Sequence, residues 1–239
     1  MKILFAFLFI LLSTWSIAQT KVKPLRSFYT EVKEPSDIAF YAPTHTYFVV
    51  SDNGFLHEVD SLGKILRTAD FEGYDTEGVW VKDDFIYVVE EMVRKIRVFN
   101  RSDLKLVRTV NVPYQGGRNK AYEAITYNPV RNSFIIITEK DPIYLFELDD
   151  DLNVKNEIEL KKYARDISAA TFYADFLWLL SDEDRQIIKI NPSSYEVIER
   201  WVIPVINPEG FAFNNKSELI VVSDDREKFY VFDAKLFLK

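Results

Sequence analysis

The chain has 239 residues, a formal net charge of −7 and no cysteine. The acidic balance argues against a nucleic-acid binder, because such a protein needs a concentrated basic face. The absence of cysteine excludes disulfides, thiol catalysis, thiolate zinc sites and iron–sulfur clusters.

The first 18 residues have the pattern of a secretory signal peptide. Lys2 is followed by an apolar run over residues 3–12, and Ser16 and Ala18 place small side chains where signal peptidase needs them. We expect cleavage after Ala18 and an exported protein, periplasmic or secreted, with a single domain over residues 19–239. The alternative is an uncleaved segment that tethers the protein to a membrane, although the apolar run is short for a span.

A repeat occurs five times in the remainder of the chain. Each copy has a turn, a short apolar strand, a hairpin and a second apolar strand that ends in acids, followed by two strands of alternating pattern. The equivalent positions are 41, 46, 45 and 41 residues apart, and they are Ser36, Glu77, Glu123, Ser168 and Glu209. A period of about 42 residues made of short strands is typical of a β-propeller with four-stranded blades.

The last copy is incomplete, and this predicts how the ring closes. From residue 207 to residue 239 there is room for three strands, whereas residues 25–30 form a strand that has no partner beside it. Pairing this N-terminal strand with the last blade supplies the missing strand and removes an exposed sheet edge. The sequence therefore predicts an all-β, five-bladed propeller, since a sixth blade would need about forty more residues.

The topology of a blade places acids on one face. The start of the first strand and the turn between the second and third strands lie at the same end of the blade. Glu77, Glu123 and Glu209 occupy the strand starts, nearest to the channel mouth. The turns carry Asp52, Glu90, Glu91, Glu139, Asp141, Asp182 to Asp184, Asp224 and Asp225.

Converging carboxylates repel one another, so their pKa values rise or a cation binds between them. Oxygen ligands, without thiols and with only 2 His in the chain, favour Ca²⁺ or Mg²⁺ over zinc or copper. An irregular shell of carboxylates, turn carbonyls and waters suits Ca²⁺. We therefore predict a calcium site at Glu77, Glu123 and Glu209, with Glu139 and Asp182 as secondary candidates.

The alternative to an ion is charge pairing. Arg118, Lys120 and Arg165 lie in the turns before the repeated strands, on the same face, and salt bridges to them would satisfy the three glutamates. The turn acids are also common as solvated turn residues. Their basic neighbours recur in the same turns and are Arg94, Lys140, Arg185 and Arg226.

Several motifs together resemble the SdiA-regulated family of bacterial propellers. They are Glu34-Pro35-Ser36, Val49-Val50-Ser51-Asp52-Asn53-Gly54, Glu139-Lys140-Asp141-Pro142 and Pro208-Glu209-Gly210. The resemblance covers residues 24–233 and implies a five-bladed propeller distantly related to NHL-repeat proteins, with a bound calcium ion and no established activity. Glu77 and Glu209 match the family's Glu-Gly positions, and Glu123 has a Glu-Ala variant. The fourth copy departs from this pattern, with Ser168 at the position and Asp166, a further secondary candidate, two residues before it.

Three functions are compatible with this pattern. The favoured one is a monomeric calcium-binding module that takes a small anionic ligand or a protein. The second is a calcium-dependent hydrolase of the lactonase or phytase type, in which the ion polarises an oxygen and activates water while a spare carboxylate acts as base. The third is a scaffold with salt-bridged glutamates and no ion. The sequence assigns no catalytic residue, and fold alone does not choose among the three.

Overall fold

Short strands joined by tight turns make up almost all of the chain in the computed structural model, which describes residues 20–113, 121–140, 142–160 and 163–238. No α-helix lies within these ranges, and one 3₁₀ helix covers Ala234–Leu236. The signal segment 1–18, Asp141, Arg118 and Lys120 lie outside the described residues.

Five sheets, each with four antiparallel strands, form the blades, as the repeat predicts, and one of them gains a fifth strand at its outer edge. Blade 1 consists of β3 (Pro35–Tyr41), β4 (Thr46–Ser51), β5 (Leu56–Val59) and β6 (Ile65–Thr68). Blade 2 consists of β7 (Thr76–Lys82), β8 (Phe85–Glu90), β9 (Lys95–Asn100) and β10 (Leu106–Asn111). Blade 3 consists of β11 (Tyr122–Asn128), β12 (Ser133–Thr138), β13 (Tyr144–Leu148) and β14 (Val154–Glu159). Blade 4 consists of β15 (Ala169–Tyr173), β16 (Phe176–Ser181), β17 (Gln186–Ile190) and β18 (Val197–Val202). Blade 5 consists of β19 (Pro208–Phe213), β20 (Glu218–Ser223), β21 (Lys228–Asp233) and β2 (Arg26–Tyr29).

The ring closes through the N-terminal strand, which confirms the prediction. Strand β2 pairs antiparallel with β21, with Arg26 opposite Val231 and Tyr29 opposite Lys228. The sequence did not predict a second contact: β1 (Thr20–Lys21) pairs in parallel with the outer edge of β18. The N-terminal segment therefore adds a strand to blade 4 before it completes blade 5, and it covers a sheet edge in each blade.

The core lies between neighbouring blades. Adjacent first strands contact one another around the ring, β3 with β7, β7 with β11, β11 with β15, β15 with β19, and β19 with β3. The second strands are buried along most of their length because both of their faces meet another blade. Phe48, Phe134 and Trp178 on these strands are at most 1% exposed. Burial of one such side chain contributes about 2–3 kcal/mol to stability.

A β-bulge recurs at the start of the first strands. The pairing register shifts between Thr76 and Gly78, and the same shift occurs in β3, β11 and β19. The extra residue in blade 2 is Glu77, and its equivalents are Ser36, Glu123 and Glu209. A bulge changes the direction of the side chain at the extra position. In blades 2, 3 and 5 the bulge is followed by Gly78, Ala124 and Gly210. The strands approach closely at the last of these, because a Cβ on Gly210 would lie 2.4 Å from Asp37 Cα.

Candidate metal centre

Among the described residues, a compact group of carboxylates that could hold a metal ion lies where blades 2 and 3 meet. Glu91 follows β8, Glu123 occupies the bulge of β11, and Glu139 follows β12. One carboxylate oxygen from each of these residues lies within 4.8 Å of the other two. Calcium–oxygen bonds are about 2.4 Å long, so oxygens separated by up to twice that distance can share one ion. The three carboxylates are therefore close enough to hold a single calcium ion.

A chain of carboxyl contacts extends from this group to Glu77. Asp75 raises the pKa values of both Glu77 and Glu91, and Glu91 raises the pKa of Glu123. Neighbouring carboxyl groups that raise one another's pKa values favour bound protons or a bound cation.

The pKa values of these groups are high for a clear reason. Burial raises the pKa of Glu123 well above its usual value, and the charges of Glu77, Glu91 and Glu139 raise it further. Burial also raises the pKa of Glu91 to about 7. A backbone N–H bond from Ala121, 2.9 Å long, opposes that rise. Burial, followed by the charges of Asp52 and Asp75, raises the pKa of Glu77 well above its usual value.

Glu209 lies on the same face among a different set of acids. Burial raises its pKa well above the usual value, and the nearby charges of Asp182, Asp224 and Asp52 add to the rise. Burial and the charge of Asp166 raise the pKa of Asp182 to about 6. The charge of Glu209 also raises the pKa of Glu77. The three repeated glutamates therefore interact across the channel mouth, although only Glu123 belongs to the compact group with Glu91 and Glu139.

The salt-bridge alternative fails for Arg165. Its guanidinium bonds Asp184 at 2.6 Å and Glu183 at 3.5 Å. Lys140 pairs with Glu139 and, at 3.3 Å, with Glu183. Within the described ranges, no Lys or Arg lies within ion-pair distance of the three repeated glutamates. Arg118 and Lys120, the other two proposed partners, lie outside these ranges.

Two acids near the site have structural roles. Asp166 accepts hydrogen bonds from Ser181 Oγ at 2.5 Å and from the backbone N–H groups of Asp182 at 3.1 Å and Glu183 at 3.2 Å. It therefore stabilises the turn after β16, and these bonds occupy both of its oxygens. Glu90 is fully buried and pairs with Arg97, and it also accepts from Tyr74 N at 2.9 Å.

Sequence reasoning missed Asp75 and Asp37, and it did not place Glu91 among the metal ligands. Asp75 precedes Glu77 by two residues, the spacing that separates Asp166 from Ser168, so this signal was available in the sequence. Asp75 has a left-handed backbone, with φ 58°, which an Asp tolerates better than most residues do. Asp37 follows the bulge of β3 where the other blades have Gly or Ala. It is 1% exposed and accepts from Val79 N at 2.9 Å, and burial raises its pKa well above the usual value.

Comparison with known proteins agrees with this architecture. The family model described as SdiA-regulated matches residues 15–233. The chain belongs to the SdiA-regulated family. Among solved structures, this SdiA-regulated propeller is similar to the crystal structure of Myxococcus xanthus glutaminyl cyclase, with a TM-score of 0.70 and 11% identity over 88% of this chain and 97% of that one. At this identity the likeness shows the fold alone.

No curated protein matches the chain. In the part of the chain that the structure describes, no helix is long and apolar enough to cross a bilayer.

Proposed function

We propose that this SdiA-regulated propeller is an exported calcium-binding module. In this proposal a calcium ion joins blades 2 and 3 through Glu91, Glu123 and Glu139, with Glu77 and Glu209 beside it at the channel mouth. The ion keeps an open coordination position, where a small anionic ligand or an acidic group of a protein binds. Without the ion, the acidic face would repel such a ligand.

The observation that carries the proposal is the compact group of three carboxylates. When ionised they hold three negative charges, of which Lys140 offsets one through its ion pair with Glu139. A divalent cation would offset the other two. Carboxylate oxygens with no thiol and no His in the group are the ligands that calcium prefers. Export is supported by the signal-like pattern of residues 1–18.

Thermal melting with calcium and with a chelator tests the ion. At a calcium concentration of about 100 times Kd, binding adds about 2.7 kcal/mol to the free energy of unfolding. For a chain of this size, that corresponds to a rise in Tm of roughly 5–10 °C. We expect Glu123→Gln to abolish most of the rise and magnesium to produce less of it.

Asp166→Asn is the matched control, because it removes a charge from the same face without touching the group of three carboxylates. It should lower Tm in the chelator and keep the full calcium-dependent rise. A wild-type protein whose Tm is the same in calcium and in chelator would refute the ion site.

A calcium-dependent hydrolase is the second candidate, and one observation favours it. Asp75 is near enough to Glu77 and Glu91 to raise their pKa values, but it lies outside the group of three carboxylates. It is therefore a spare carboxylate, which could take a proton from an ion-bound water. Turnover of a simple lactone, or phosphate release from phytate, should then require calcium. It should disappear in Asp75→Asn while the calcium-dependent rise in Tm remains.

A further inference from the structure

A short segment at the N-terminal end of the described residues supports blade 4. Strand β1 pairs in parallel with the outer edge of β18, with Thr20 opposite Trp201. Beside it, Val22 N donates to Val202 O at 3.1 Å. The Val22 side chain is 6% exposed and belongs to the core cluster between blades 4 and 5. Residues 20–22 therefore cover a sheet edge and also fill a part of the core.

The same segment is open to proteolysis from its end. Thr20 and Lys21 are both exposed, and proteolysis concentrates at chain ends of this kind. A strand of two residues has few hydrogen bonds that hold it against the sheet. An aminopeptidase, which needs a free α-amino group, would remove β1 one residue at a time. The edge of β18 would then be free to pair with another chain.

The residue before β1 is a glutamine. In the proposed export, cleavage after Ala18 leaves Gln19 at the N-terminus. Gln19 itself lies outside the described residues, and Thr20 is the first residue of β1. The side chain of an N-terminal glutamine has the length at which its amide carbon and the α-amino nitrogen close a five-membered ring. The pKa of an α-amino group is about 7.7–8.0, so an uncharged, nucleophilic fraction is present near neutral pH.

We propose that Gln19 is a modification site and that the mature chain begins with pyroglutamate. The α-amino nitrogen attacks the side-chain amide carbon Cδ, so that the N–Cδ bond forms and the Cδ–Nε2 bond breaks. The Nε2 nitrogen leaves as ammonia and takes the proton that the amine gives up. The reaction needs no oxidant, reductant or second substrate.

This modification protects the segment that supports blade 4. The lactam nitrogen carries no charge and is no longer an amine, so an aminopeptidase has no α-amino group to bind. Strand β1 then keeps its pairing with β18, and Val22 stays in the core. The modification rests on the proposed export, because Gln19 becomes N-terminal only after cleavage, and it does not depend on the calcium ion.

Mass spectrometry of the exported protein tests the modification. The full chain is produced in a bacterial host with its own N-terminal segment, and the intact mass and the N-terminal peptide are measured. The chain should begin at residue 19 and be lighter than its sequence requires by one ammonia. A chain that begins at residue 19 with an unmodified glutamine would overturn the modification and leave export standing. A chain that keeps residues 1–18 would overturn the cleavage on which both proposals depend.

Gln19→Asn is the matched control, because it keeps the amide but would need a strained four-membered ring. It should begin at residue 19 with its full mass, and the loss of ammonia in this variant would overturn the assignment to Gln19. In an aminopeptidase digest the wild type should stay intact, whereas Gln19→Asn should lose β1 residue by residue. Treatment with pyroglutamyl peptidase, which removes pyroglutamate, should make the wild type equally sensitive. Trimming of the untreated wild type as fast as the variant would overturn the protective role.

Discussion

Glu90 and Glu91 are adjacent in sequence, and the structure predicts opposite effects for the same substitution. Glu90 is fully buried in a pair with Arg97. Glu91 is 4% exposed, but it faces the carboxyl groups of Asp75 and Glu123. Glutamine keeps the size of either side chain and removes its charge. In a chelator at pH 8, Glu91→Gln should therefore stabilise the protein and Glu90→Gln should destabilise it.

The size of the Glu91 effect follows from its pKa, which rises from 4.5 to about 7 on folding. Below pH 4.5 both states hold the proton, and Glu91 contributes no pH dependence. As the pH rises from 4.5 to 7, the unfolded state releases its proton first, so the free energy of unfolding falls. At about 1.4 kcal/mol per pKa unit the full cost above pH 7 is about 3 kcal/mol, and solvent screening reduces it to about 1–2 kcal/mol.

Melting curves in chelator at pH 5 and pH 8 measure the effect. Glu91→Gln should melt roughly 3–6 °C above the wild type at pH 8 and within about 1 °C of it at pH 5. Glu90→Gln leaves Arg97 unpaired, which costs about 3 kcal/mol, so it should melt below the wild type at both pH values. The reasoning is refuted if Glu91→Gln gains no stability at pH 8 or if the two variants shift in the same direction.

Three further predictions follow from the fold. Gly210→Ala should lower the free energy of unfolding, measured with denaturant, by about 3 kcal/mol, because the new Cβ would lie 2.4 Å from Asp37 Cα. Ala169→Gly, at the equivalent position of blade 4, should lower it by only about 1 kcal/mol. A chain that lacks β2 should aggregate in light-scattering measurements, since the edge of β21 would be exposed; a soluble monomer would contradict this role. Asp166→Asn should lower stability by about 1–2 kcal/mol by weakening the bonds that hold the turn after β16, and an unchanged Tm would argue against that role.

Much of the fold could be predicted because its signals are local and repeated. The recurring strand pattern gives the number of blades, and the short last copy gives the closing strand. Strand β1 left no comparable signal, since two residues are too few to show an alternating pattern. Its pairing depends on the edge that β18 leaves open, which exists only in the folded ring.

The sequence predicted on which face of the propeller these acids lie. Topology correctly placed Glu77, Glu123 and Glu209 at one channel mouth, and the mutual effects on their pKa values reflect this. The grouping within the mouth was not predictable. Asp166 precedes Ser168 by the same two residues that separate Asp75 from Glu77, yet Asp166 bonds its own turn while Asp75 raises the pKa values of Glu77 and Glu91.

The sequence by itself determined the five-bladed architecture, the strand that closes the ring and the acidic face, because period and alternation report directly on strands and their ends. Tertiary structure alone decided which acids touch. Neighbours such as Glu90 and Glu91 point to opposite sides of one strand end, so one meets Arg97 and the other meets the next blade. Contacts between blades join residues that are far apart in sequence, and their distances depend on how the blades pack.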